Sequence, residues 1–125
     1  MHIHREPWSK LVYVVSGRAT IVVVNLMSGS DQFGDHLRIE LGGVQGVRRS
    51  VYIPEGFGNA FYCHEPTQYL NLVSQEFGDA GRRGVAWDDP LLAIDWGLRT
   101  RPILSGPDMR QPSLQELVRD LESGR

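Results

Sequence analysis

Six short runs of β-branched and aromatic residues, each closed by a cluster of turn formers, do more than any other feature to limit what this chain can fold into. They lie at residues 11–15 (LVYVV), 19–26 (ATIVVVNL), 36–41 (HLRIEL), 51–53 (VYI), 59–63 (NAFYC) and 69–73 (YLNLV). Between them stand Ser16-Gly17, SGSDQFGD, Gly42-Gly43, PEGFG and HEPT, all of them turn chemistry. Strands of this length and spacing close into sandwiches or barrels, so the reading is an all-β antiparallel barrel or jelly roll. The period changes only near the C-terminus. Ser113 and Glu116 form a capping box, and Leu114, Leu117, Val118 and Leu121 recur at helical spacing, which predicts one amphipathic C-terminal helix over 112–122, ending near Gly124. Its expected role is to cover an open end of the barrel.

A chain of 125 residues suffices for one core, so a single domain over 1–125 is expected. No stretch approaches the roughly 18 consecutive apolar residues of a membrane helix, and no basic segment leads into an apolar one at the start, which predicts a soluble cytoplasmic protein with no membrane partner. With 13 basic and 15 acidic side chains there is no electrostatic case for nucleic acid. The pairs Arg48-Arg49 and Arg82-Arg83 read as solvated loop charges, either of which could still meet a phosphate. Cys63 is the one cysteine, so an internal disulfide and a four-thiolate zinc site are both excluded.

Chemistry-bearing residues concentrate in the first four positions and in PEGFG. His2 and His4 flank Ile3, so on a strand both imidazoles share one face. Read alone, a histidine at position 2 is as well explained by a frayed terminus. With Gly17 and PEGFG further on, however, the pattern resembles the two signature motifs of the cupin superfamily. Metal-binding cupins place a glutamate and a further histidine where Lys10 and Asn59 stand here. An ammonium and a neutral amide beside two imidazoles make a poor site for a divalent cation, so no metal is expected.

The runs KLVYVVSG, FGDHLRIEL, YIPEGFGNAF, GVAWDDPLLAIDW and LSGPDMRQPSL, in this order, resemble the dTDP-4-dehydrorhamnose 3,5-epimerases over nearly the whole chain. The resemblance implies a metal-free cupin dimer that epimerises a nucleotide-linked 4-keto-6-deoxyhexose beside its ketone, with neither metal nor nicotinamide as cofactor. It implies that His2, in Met1-His2-Ile3-His4, is the general base, that Asp108 in LSGPD orients it, and that Lys10 stabilises the enolate oxygen. His4, Asn59 and Asn71 are the expected substrate contacts. Two positions depart from the family pattern: Asn59 stands where it has a histidine, and Asn71 where it has the tyrosine that acts as general acid. Tyr52, Tyr62 and Tyr69 are the remaining phenols, with Tyr69 expected on the opposite face of its strand from the position it would have to replace.

Family members also carry further strands ahead of the position of Met1, so a shortened form or a late start is expected here. The edge thereby left open predicts a homodimer whose partner covers it. Two classes of function stay open. One is an epimerase or isomerase of a nucleotide-linked ketosugar, dTDP-linked by the resemblance, limited to one centre or to tautomerisation by the lost acid. The other is a non-catalytic sugar-nucleotide or carbohydrate-binding cupin, with a metal-dependent cupin oxygenase well behind both.

Overall fold

The computed structural model describes residues 1–4, 8–43, 50–76 and 81–123. Eight strands run in chain order: β1 (His2–His4), β2 (Lys10–Ser16), β3 (Arg18–Asn25), β4 (His36–Gly42), β5 (Ser50–Ile53), β6 (Phe57–Cys63), β7 (Gln68–Val73) and β8 (Arg82–Gly84). A 3₁₀ turn, Asp108–Arg110, and one helix, α1 (Leu114–Glu122), follow. The strands form two antiparallel sheets, ordered β4-β3-β6-β1-β8 and β5-β2-β7, and the fold is that of a cupin.

Side-chain alternation decides what each face of the larger sheet does. Along β3, Ala19 and Ile21 point between the sheets, where they meet Val12, Val14, Leu41 and Ile53 in one buried cluster. The alternate residues Val22 and Val24 point the other way and join Met1, Ile3, Leu26, Val85, Leu92, Trp96, Leu114 and Leu117 in a second. Burial on both faces explains why ATIVVVNL reads as an almost unbroken apolar run. It also corrects the expected place of the helix. α1 does not close the barrel mouth; Leu114 and Leu117 pack it on the outer face of the five-stranded sheet, and the Arg83–Asp120 ion pair ties it to β8.

The capping box forms as expected, with the Ser113 hydroxyl accepting from the Glu116 amide and the Glu116 carboxylate accepting from the Ser113 amide. Ser113 is therefore the cap, and the helix starts at Leu114 rather than 112. Gly124 lies outside the described residues, as does the Arg48-Arg49 pair. The Arg82-Arg83 pair, read as loop, is strand β8. Two glycines are required by their turns. Gly17 has φ 85° between β2 and β3, where a Cβ would lie 2.5 Å from the Pro66 carbonyl oxygen; Gly56, at φ 81° in PEGFG, faces the Met27 side chain. No helix among the described residues is long and apolar enough to cross a membrane.

Among the described residues, the three-stranded sheet is covered on one side only. Leu11, Tyr13, Tyr52, Leu70 and Leu72 stand on its outer face, 37% (Tyr13) to 64% (Tyr52) exposed. In the other sheet β1 meets β6 only through His2 and Asn59, so among the described residues the Ala60–Cys63 side of β6 beyond that point has no strand beside it.

Asp89, buried within the WDDP motif, joins the outer layer together. Its carboxylate accepts from the Leu91 amide (2.9 Å) and from the buried Leu114 amide at the start of α1 (2.8 Å), so one side chain ends a turn and begins a helix. Asp89→Ala strands a buried amide and is expected to cost about 1–3 kcal/mol in urea unfolding, with Asp89→Asn losing less because one oxygen acceptor remains.

Candidate active site

A cavity of about 720 Å³ opens beside the short strand β1, lined from both sheets. Its walls include all six residues singled out from sequence: His2, His4, Lys10, Asn59, Asn71 and Asp108. Strand alternation accounts for most of them. Ile3 points into the outer cluster, which sends His2 and His4 to the inner face, and Asn59 lies beside His2 in register. Lys10 and Asn71 share the inward parity of Val12 and Val14 on the opposing sheet. The histidines and the lysine therefore approach one space from opposite walls.

His2 and Asp108 are 106 residues apart in sequence and in contact in space. Nε2 of His2 lies 3.0 Å from Asp108 Oδ1, while Nδ1 makes no hydrogen bond among the described residues. Asp108 is itself held, since the Ser105 hydroxyl donates to its Oδ2 at 2.6 Å and Ser105 Oγ accepts from its amide. Burial works against the carboxylate, but the Ser105 hydroxyl and then His2 outweigh it and hold the carboxyl below its ordinary value. His2 is lowered from 6.5 to about 4 by burial, by the chain's amino group and by Arg82, against the opposing pull of Asp108. Its ring is neutral near pH 7, as a proton acceptor must be.

Lys10 reaches across to Asn59, Nζ donating to Oδ1 at 2.9 Å. Only an oxygen can face an ammonium, which fixes the amide and leaves Asn59 Nδ2 without a protein partner among the described residues. Burial, then the charge of Arg82, lowers the Lys10 pKa. An ammonium in such a place, bonded to a neutral amide rather than a carboxylate, keeps its charge for an oxyanion. His4 stacks on Trp8, with ring centroids 3.7 Å apart, and its Nδ1 and the Trp8 indole nitrogen are buried without a hydrogen-bond partner among the described residues. No three His, Cys, Asp or Glu side chains among the described residues converge as a metal site would need.

The phenols are distributed differently from expectation. Tyr69 shares the inward face of Asn71, two residues away, rather than opposing it, because strand parity repeats every second residue. It nevertheless stops short of the cavity. Tyr69 stacks on Phe61, with centroids 4.0 Å apart, its hydroxyl is buried without a hydrogen-bond partner among the described residues, and burial raises its pKa. Tyr52 stands on the outer sheet face, and of the three only Tyr62 borders the cavity. Three participants escaped the sequence reading: Ser105, Trp8 and Arg82. Ser105 had a usable signal, a serine three residues before Asp108. Trp8 and Arg82 had none, since their places depend on the pairing of β1.

Comparison with known proteins supplies the family. The sequence profile of the dTDP-4-dehydrorhamnose 3,5-epimerases matches residues 1–116. A dTDP-4-dehydrorhamnose 3,5-epimerase of Sinorhizobium fredii is 32% identical over 120 residues, which are 94% of this chain and 60% of that protein. Among solved structures, the rmlC epimerase of Mycobacterium tuberculosis superposes with a TM-score of 0.89 at 30% identity, covering 96% of this chain and 62% of the other. ChmJ, a 3'-monoepimerase from Streptomyces bikiniensis in complex with dTDP-quinovose, gives 0.84 at 29% identity, covering 94% and 60%. The chain thus spans about three fifths of the length of the relatives it matches. Within that span the barrel, the His2–Asp108 contact and the inward lysine stand together, and the chain belongs to the dTDP-4-dehydrorhamnose 3,5-epimerase family.

Proposed function

We propose that the protein is an epimerase of a nucleotide-linked 4-keto-6-deoxyhexose, dTDP being the nucleotide that the relatives' names carry, and that it works in the cytoplasm by abstracting a proton next to the ketone. The observation that carries this reading is His2, on the wall of the cavity, held by Asp108 through Nε2 with Nδ1 making no hydrogen bond among the described residues, while Lys10 enters the same cavity from the opposite wall. The Nδ1 lone pair takes the carbon-bound proton, the imidazolium so formed is stabilised by Asp108 through Nε2–H, and the electron pair moves onto the ketone oxygen. Lys10 stabilises the enolate there, so the cation needed at the oxygen is built into the chain.

Returning a proton to the other face of the ring completes an inversion. Asn71, on the wall opposite His2, holds a neutral amide with no proton to give near neutral pH. Inversion at one centre, with water returning the proton, is the outcome this wall favours. That the similar ChmJ is a 3'-monoepimerase supports the reading.

A second copy of the chain is the proposed partner. The apolar outer face of β5-β2-β7 and the unpaired side of β6 are the two surfaces it would cover. Sedimentation is expected to show a dimer at micromolar concentration, and paired Tyr52→Glu and Leu72→Glu substitutions to shift it to monomer. A parent protein that sediments as a monomer contradicts the assignment.

Solvent exchange tests the chemistry. In deuterated buffer with dTDP-4-keto-6-deoxyglucose, deuterium is expected at carbon 3 or carbon 5. Lys10→Met should lower the rate on the order of a hundredfold or more. Absence of exchange at both carbons, with the ligand bound, leaves the protein a sugar-nucleotide-binding cupin.

The pH profile follows from the two shifted groups. Because His2 is lowered to about 4, exchange should persist as pH falls through 6.5 and decline only as the ring takes up a proton near pH 4. Because Lys10 is also lowered, the alkaline decline should begin below its ordinary 10.5, as the ammonium loses its proton. An acid limb at 6.5 would show that the ring is not held as described.

A further inference from the structure

Nε2 of His2 meets two groups of opposite charge. Asp108 Oδ1 lies 3.0 Å away and Nη2 of Arg82 lies 3.0 Å away on the same nitrogen. A carboxylate only accepts and a guanidinium only donates. A neutral ring offers at Nε2 either a proton, which satisfies Asp108, or a lone pair, which satisfies Arg82. One tautomer cannot serve both.

We propose that Arg82 is a positioning residue that competes with Asp108 for Nε2 and so governs which ring nitrogen of His2 carries the proton. The inference rests on the reading of His2 as the base. With Asp108 engaged, the proton is on Nε2 and the Nδ1 lone pair is left to accept. With Arg82 engaged, Nδ1 carries the proton and cannot accept one. Once His2 has taken a proton from substrate both nitrogens are protonated, which strengthens the Asp108 contact and repels the guanidinium. The two contacts thus favour different stages of one proton transfer.

The fold makes the competition possible. Arg82 lies in register with His4 on β8, and Gly84 lies in register with His2, so the position directly beside His2 on that strand has no side chain. The guanidinium reaches along β1 to the ring from two residues away. Asp108 approaches from the 3₁₀ turn, held by Ser105. Among the described residues the charged groups acting on His2 are Arg82 from β8, Asp108 from the turn and the chain's amino group; Arg82 and the amino group work against protonation and Asp108 for it.

Imidazole ¹⁵N resonances of His2, followed through a pH titration of the full chain, test this directly. In the parent protein a measurable share of the neutral ring should carry its proton on Nδ1. In Arg82→Met that share should vanish in favour of Nε2–H, and the titration midpoint should rise by roughly one unit because a neighbouring positive charge is gone. The acid limb of deuterium exchange should move up with it. Arg82→Lys, which keeps the charge, should titrate close to the parent. Identical tautomer ratios and midpoints in parent and Arg82→Met would overturn the proposal. If the resonances respond as expected while no form exchanges deuterium into the sugar, the competition stands and the enzyme reading fails.

Discussion

The three residues of β1 are paired to β8 through His2, Ile3 and His4 and to β6 through His2 and Asn59, and both histidines of the cavity take their direction from that pairing. A slip of one residue would turn Ile3 inward and both histidines out, because side chains alternate with a period of two. The burial of Ile3 at 5% exposure in the outer cluster, beside Met1, Leu114 and Leu117, opposes such a slip. Packing on the far face of the sheet thus fixes His2 on the near face. The helix contributes to the site at a distance by covering that cluster, and Asp89 contributes by anchoring the helix to the turn before it.

The electrostatics of the cavity follow from what the barrel excludes. Lys10, Arg82 and Arg101 bring positive charge to its walls, Asp108 answers with the one carboxylate among the described lining residues, and Asn59 and Asn71 are neutral. Such a balance disfavours a protonated imidazole and favours an anionic ligand or an enolate. The same desolvation that lowers His2 and Lys10 strengthens any bond either makes to a developing oxyanion. Asn71, a neutral amide, gives the opposite wall no proton source near neutral pH.

Most of the fold was legible because its strands are apolar, β-branched and bounded by glycine or proline, and α1 because its capping box and its 3.6-residue spacing agree. β8 was not legible: Arg82-Arg83-Gly84 has neither apolar alternation nor β propensity, and it is a strand only because β1 lies beside it. The helix could be found but not placed, since its apolar stripe fits a barrel mouth as well as a sheet face. Lys10 and Asn59 were legible as neighbours through motif resemblance, and His2 with Asp108 likewise. The Arg82 contact was invisible because it depends on which residue of β8 sits opposite which residue of β1. The parity of Tyr69 was countable from the sequence, and its stack on Phe61 was not.

The central claim is that His2 and Asp108 act as one unit on a substrate proton, and a double-mutant cycle on deuterium exchange tests it most directly. His2→Asn alone should lower the exchange rate on the order of a thousandfold. If Asp108 acts only through His2, Asp108→Asn adds nothing further in that background, and the double variant exchanges as slowly as His2→Asn alone. Two losses that multiply would show that Asp108 works on the substrate independently, and would contradict the account.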